Sequence, residues 1–74
     1  MTAYFKDYTL TPKPGRTSHD RFAVTVQVER KTPTGLHRET FYAKDGITYI
    51  LRVEAEKEAI NLGKNLIKRN MIGF

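Results

Sequence analysis

The chain predicts an α+β fold: an antiparallel meander of three or four strands with one C-terminal helix packed across one face. Three observations carry this reading. Phe22 to Glu29 alternates strictly, with Phe22, Val24, Val26 and Val28 on one side and Ala23, Thr25, Gln27 and Glu29 on the other, the period-two pattern of a half-buried strand. Glu54 to Arg69 repeats at helical spacing instead, and at 100° per residue Ala55, Ala59, Leu62 and Leu66 fall within about 60° of one another. Turn formers at Lys13–Arg21, Lys31–Gly35 and Asp45-Gly46 separate the extended stretches.

Taken in order, Tyr4 to Pro12 reads as the first strand, because aromatic and β-branched residues suit a pleated surface. Tyr8 and Leu10 point to their own side, shared with Tyr4 and Lys6, as the buried one; the other side carries Phe5, Asp7, Thr9 and Thr11. Pro12 and Pro14-Gly15 end it, and Lys13–Arg21 follows as the longest loop. The Phe22–Glu29 strand belongs in the middle of the sheet. Lys31–Gly35 is a hairpin turn, with Gly35 supplying a positive φ, and Leu36–Lys44 is the third strand. Asp45-Gly46 favours a tight hairpin that would set Tyr42 opposite Tyr49 and Phe41 opposite Ile50. Ile47–Leu51 is then either a short fourth strand or an extended lead-in to the helix.

The helix has Ala55, Ala59, Leu62 and Leu66 as its buried stripe, widened on one side by Ile60, Gly63 and Ile67. Such a helix is not stable alone in water and needs the sheet as partner. Early glutamates (Glu54, Glu56, Glu58) and late cations (Lys64, Lys68, Arg69) match the helix dipole. Mid-helix glycine costs about 1 kcal/mol relative to alanine, so Gly63 implies close approach to a bulky sheet residue. Asn70 is a candidate left-handed C-cap. Met71, Ile72 and Phe74 form an apolar tail that either packs back or docks on a partner.

At 74 residues, 39% hydrophobic and 28% charged, the chain is expected to form one small globular domain. It contains no cysteine, which excludes disulfides and thiolate metal sites, and two histidines are too few for a histidine-rich one. No cofactor is expected. Met1–Tyr8 lacks the apolar core of a secretory signal, so the cytosol is the expected compartment. Of the net charge of +5, residues 1–52 hold nine Lys/Arg against five Asp/Glu and residues 53–74 hold four against three. The surplus lies on the sheet and its loops, where it attracts polyanions without naming one.

Candidate chemistry is thin. Ser18-His19-Asp20 is not a triad, because those groups normally come from separate segments so that they can align. Gly15–Ser18 could cup a phosphate but lacks the glycines and lysine of a P-loop. Basic residues gather in the long loop (Lys13, Arg16, Arg21) and around the far hairpin (Arg30, Lys31, Arg38). Two such clusters could grip a nucleic-acid backbone. Against that, the outer side of the central strand carries no arginine, and a solvated sheet face is the simpler explanation of the pattern.

The order of strands followed by one helix over residues 22–69 resembles the arm-type DNA-binding domains of phage and transposon integrases, a likeness of topology without a shared motif. Lys13-Pro-Gly-Arg16, His19–Val26 and Ala55–Ile67 are similar in wording to a small uncharacterised protein family found in cyanobacteria, which implies no activity or site residues. The reading is therefore of a small non-enzymatic module that docks on another protein, with Met71, Ile72 and Phe74 as candidate docking residues. The alternative is nucleic-acid binding through Lys13, Arg16, Arg21, Arg30, Lys31 and Arg38. The expected state is a monomer or weak homodimer.

Overall fold

The computed structural model describes residues 2–17, 19–43 and 47–74. Strands β1 (Ala3–Phe5), β2 (Tyr8–Pro12), β4 (Thr25–Thr32) and β5 (Gly35–Tyr42) form an antiparallel four-stranded sheet in the order β1-β2-β4-β5. A smaller two-stranded sheet joins β3 (Phe22–Ala23) to β6 (Thr48–Tyr49). Helix α1 (Arg52–Lys68) packs against β2 and β4 and has β5 to its side. The fold class is the one the periodicities predict.

Three elements differ from expectation. The first strand is two strands, because the chain reverses at Lys6-Asp7 and pairs Phe5 with Tyr8. Lys6 takes φ 55°, the left-handed geometry of a two-residue hairpin, without the glycine or asparagine that usually announces one. Tyr8, Leu10 and Pro12 do face inwards, while Tyr4, placed on their side by simple alternation, is turned to the outer face and 76% exposed. The central strand breaks at Val24, so that Phe22–Ala23 pairs with Thr48–Tyr49 while Thr25–Thr32 sits between β2 and β5. Tyr42 lies opposite Thr25 and Phe41 opposite Val26, not opposite Tyr49 and Ile50. The Asp45-Gly46 turn lies outside the described residues. The other hairpin matches its prediction, with Thr32 paired to Gly35 across Pro33-Thr34 and Gly35 at φ 129°.

The core joins Leu10, Val24, Val26 and Val28 of the sheet to Ala59, Ile60 and Ile67 of α1. Gly63 sets the helix against the sheet: a Cβ there would stand 3.0 Å from Leu10 Cδ2 and 3.3 Å from Cδ1. The buried helical residues are Ala55, Ala59, Ile60, Gly63 and Ile67, with Leu62 and Leu66 only half-buried. All five lie on the predicted apolar face, with burial centred on its Ile60, Gly63 and Ile67 side, about 65° from the middle of the Ala55, Ala59, Leu62 and Leu66 stripe. Leu10 is the physical reason. It fills the notch at Gly63 and seats that side of the helix deepest, with Leu62 packed against the margin of the core.

At its start α1 has Leu51 as N-cap with no side-chain cap bond. It ends in a Schellman motif: Asn70, at φ 55°, donates its N–H to the Ile67 carbonyl (3.1 Å), and Met71 donates to Leu66 (2.9 Å). Thr25, expected on the solvent side, is only 7% exposed. It lies opposite Tyr42 on β5, and its carbonyl accepts from the Lys13 N–H at 2.9 Å, so strands flank it on both sides.

Two stability tests follow from this packing. Val26→Ala should cost about 2–4 kcal/mol in denaturant melts, and Ile67→Ala should cost more than Leu66→Ala; the reverse order would put the helix in its predicted rotation. Gly63→Ala should destabilise by about 1 kcal/mol, because overpacking against a fully buried Leu10 outweighs the gain in helix propensity. In a Leu10→Val background, which removes the crowding methyl groups, the same change should become neutral or stabilising. Additive effects would show that the contact does not matter.

Candidate interaction surface

The two faces of the sheet are chemically distinct. Cross-strand register assigns Thr9, Thr11, Gln27, Glu29, Lys31, Leu36, Arg38, Thr40 and Tyr42 to the outer face, away from α1. Tyr4 and Tyr42, at 76% and 74% exposed, stand near its two edges. Glu29 is the central charge: its Oε1 accepts from Gln27 Nε2 at 2.8 Å and meets Arg38 Nε at 3.2 Å.

The basic residues separate into different environments. Arg21 is structural, donating from Nε to Thr48 Oγ1 (2.7 Å) and from Nη2 to the Thr48 carbonyl (3.2 Å), which ties the long loop to β6. Arg16 bridges to Phe22 and holds its guanidinium 5.8 Å from that ring. Arg30 is on the inner face, 5.4 Å from the Tyr8 ring centre and 3.9 Å from Asp7 Oδ2. Lys31 and Arg38 lie on the outer face at the hairpin end, while Lys13 continues that face at the opposite end. Thus the structure unites Lys13, Lys31 and Arg38 on one surface and sets Arg16, Arg21 and Arg30 among intramolecular partners.

The long loop is a folded hairpin rather than an open cup. Ala23 N–H donates to the Gly15 carbonyl (2.8 Å) and Thr17 N–H to the Arg21 carbonyl (2.7 Å). The Thr17 amide that would help cradle a phosphate is therefore already committed. Among the described residues, no group of three or more His, Asp and Glu side chains is arranged to hold a metal ion. Among the described residues, no helix is long and apolar enough to cross a membrane.

The C-terminal tail folds back. Phe74 lies against the cross-strand row Tyr8–Arg30–His37, its ring centre 6.2 Å from Tyr8 and 5.6 Å from His37 in a stacked arrangement. The Tyr8 hydroxyl donates to the Phe74 main-chain oxygen. Ile72 also packs on the core, and Met71 is 59% exposed.

Strand β5 is the least covered element. Seven of its eight residues are exposed; Phe41 alone is half-buried. Among the described residues no strand pairs with its outer edge. Ala43 N–H donates to the Val24 carbonyl at 3.0 Å, which sets the phase of the ladder. His37, Glu39 and Phe41 therefore direct their amides to β4, and Leu36, Arg38, Thr40 and Tyr42 direct theirs outwards. Leu36 is 57% exposed along the same edge. Sequence patterning could not mark this strand as unpaired, because exposure of an edge depends on sheet order.

Beside β5, a cleft of about 230 Å³ opens between α1 and the sheet, with Val24, Ala43, Tyr49 and Leu62 among its walls and Glu58, Asn61 and Asn65 contributing polar atoms.

Removing residues 71–74 should lower the thermal midpoint clearly, since it strips Ile72 from the core and Phe74 from Tyr8 and His37. Tyr8→Phe, which deletes only the hydroxyl, should cost about 1 kcal/mol. A truncated chain that melts with the full-length one would show that the tail contributes nothing to stability.

Comparison with known proteins finds no matching protein-family model, no matching curated protein and no matching solved structure.

Proposed function

We propose that the protein is a non-enzymatic interaction module that docks another polypeptide along the open edge of β5. The observation that supports this reading is the exposure of that strand on its edge and on most of both faces. Among the described residues no strand pairs with this eight-residue edge, whose outward N–H and C=O groups form a template for an added strand. Hydrogen bonds to the main chain supply affinity there, and Leu36, Arg38 and Tyr42 on the outer side supply selectivity.

Thr40→Pro tests the reading with little damage to the fold, because the Thr40 N–H faces outwards and is not part of the β4–β5 ladder. Capture from a native cell extract should persist after nuclease treatment and be lost with Thr40→Pro, while the variant keeps its circular dichroism spectrum. Capture that survives Thr40→Pro, or disappears with nuclease, would set the β5 edge aside.

Nucleic-acid binding is the second reading, supported by Lys13, Lys31 and Arg38 sharing the outer face with exposed Tyr4 and Tyr42. Three phosphate contacts would give a log–log salt slope of about −2 to −3 on duplex DNA. Replacing Lys13, Lys31 and Arg38 with glutamine should flatten it, and replacing Lys57, Lys64 and Lys68 should leave it unchanged. Absence of binding at low salt would remove this reading.

A further inference from the structure

We infer that the C-terminal tail is a strap that holds the hairpin end of β5 in its ladder, acting through the stack of Phe74 on His37, so that release of the tail loosens the strand edge. Its effect on docking rests on the reading of the β5 edge as the docking element; the strap itself does not.

The two ends of β5 are anchored differently. Near the far end Phe41 packs against the core, and the Ala43 N–H donates to the Val24 carbonyl at 3.0 Å. From Gly35 to Thr40 every residue is exposed, and α1 packs on β2 and β4 rather than over this strand. The tail reaches the inner side of that exposed end. The Phe74 ring stands 5.6 Å from His37, 23° from parallel, and 6.2 Å from Tyr8, whose hydroxyl donates to the Phe74 main-chain oxygen. Tyr8 lies opposite Arg30 and Arg30 opposite His37, so the tail spans β4 and ties the edge strand to β2. Thr34 Oγ1, 3.5 Å from His37 Nε2, borders the ring on the hairpin side. The Schellman turn at Asn70 fixes the point at which the tail leaves the helix.

Opening the hairpin end breaks the His37–Phe74 stack but leaves the Phe41 contacts and the β2–β4 ladder in place. Local openings of this kind are governed by the few contacts they break rather than by global stability. An aromatic pair is worth a factor of about two to ten in such an equilibrium. The coupling is reciprocal: an event that draws Phe74 away loosens the edge, and a strand paired to the edge tightens the tail. An edge already ordered loses less freedom on docking, so the strap favours capture.

Hydrogen exchange read residue by residue tests the strap. The amides of His37 and Glu39 point to β4, whereas the same ladder phase directs those of Gln27 and Glu29 to β2. In the unmodified chain His37 and Glu39 should be the less protected pair. Phe74→Ala should lower their protection about threefold to tenfold. Ile60→Val, which weakens the core beneath α1, should leave it nearly unchanged. His37→Ala should lower protection at Glu39 by a similar factor, and adding Phe74→Ala should then lower it little further. No loss of protection in Phe74→Ala, an equal loss in Ile60→Val, or additive losses in the double variant overturns the inference. Equal protection of all four amides in the unmodified chain also overturns it, because the strand then opens only with the whole molecule. If exchange follows the expected pattern but Thr40→Pro leaves capture from extract unchanged, the docking reading fails and the strap stands. If Thr40→Pro abolishes capture while Phe74→Ala leaves protection unchanged, the strap fails and the docking reading stands.

Discussion

The contact between Leu10 and Gly63 governs the arrangement of this molecule. Leu10 is fully buried, and the missing side chain at Gly63 lets its methyl groups enter where a Cβ would stand 3.0 Å away. A mid-helix glycine weakens the helix locally, and here that cost is offset by close packing between the layers. From this point the helix packs over β2 and β4, Ile60 and Ile67 share the core with Val26 and Val28 of β4, and Leu62 lines the cleft. The same placement leaves β5 to one side. The uncovered inner side of β5 is thus a consequence of how the core packs, while its open edge follows from the strand order.

Several cations serve the fold before they serve any partner. Arg21 fastens the long loop to β6, Arg30 lies beside Tyr8, and Lys6 and Lys68 stand 5.7 and 5.8 Å from the Phe5 ring centre. In a chain of 74 residues such stems supply cover that a larger core would provide with aliphatic side chains. A net charge of +5 therefore overstates the positive surface available to a polyanion, because Arg38 is also paired with Glu29.

Open strand edges are usually blunted by charge, proline or brevity. The far edge, β1, is three residues long. β5 is eight residues long, with Arg38 and Glu39 at its middle and neither proline nor bulge. Those two charges oppose indiscriminate stacking in two of the possible registers.

Periodicity alone determined the class of fold, the central place of the valine strand, the Pro33-Thr34 hairpin, the left-handed cap at Asn70 and the tight approach at Gly63. Each rests on local chemistry: alternation, a turn residue, or a glycine where none is favourable. Tertiary structure decided the rest. The reversal at Lys6-Asp7 carries no glycine or asparagine, and the alternation on either side of it hides the change of strand. Which side of the predicted apolar face packs deepest depends on which sheet residue finds the notch at Gly63, a contact between positions far apart in the chain. The split at Val24 depends on the arrival of Thr48–Tyr49 as a partner for Phe22–Ala23. Whether Arg21 is a free cation or a clasp, and whether β5 is an inner strand or an edge, are properties of assembly order. Sequence spacing contains the residues but not their neighbours.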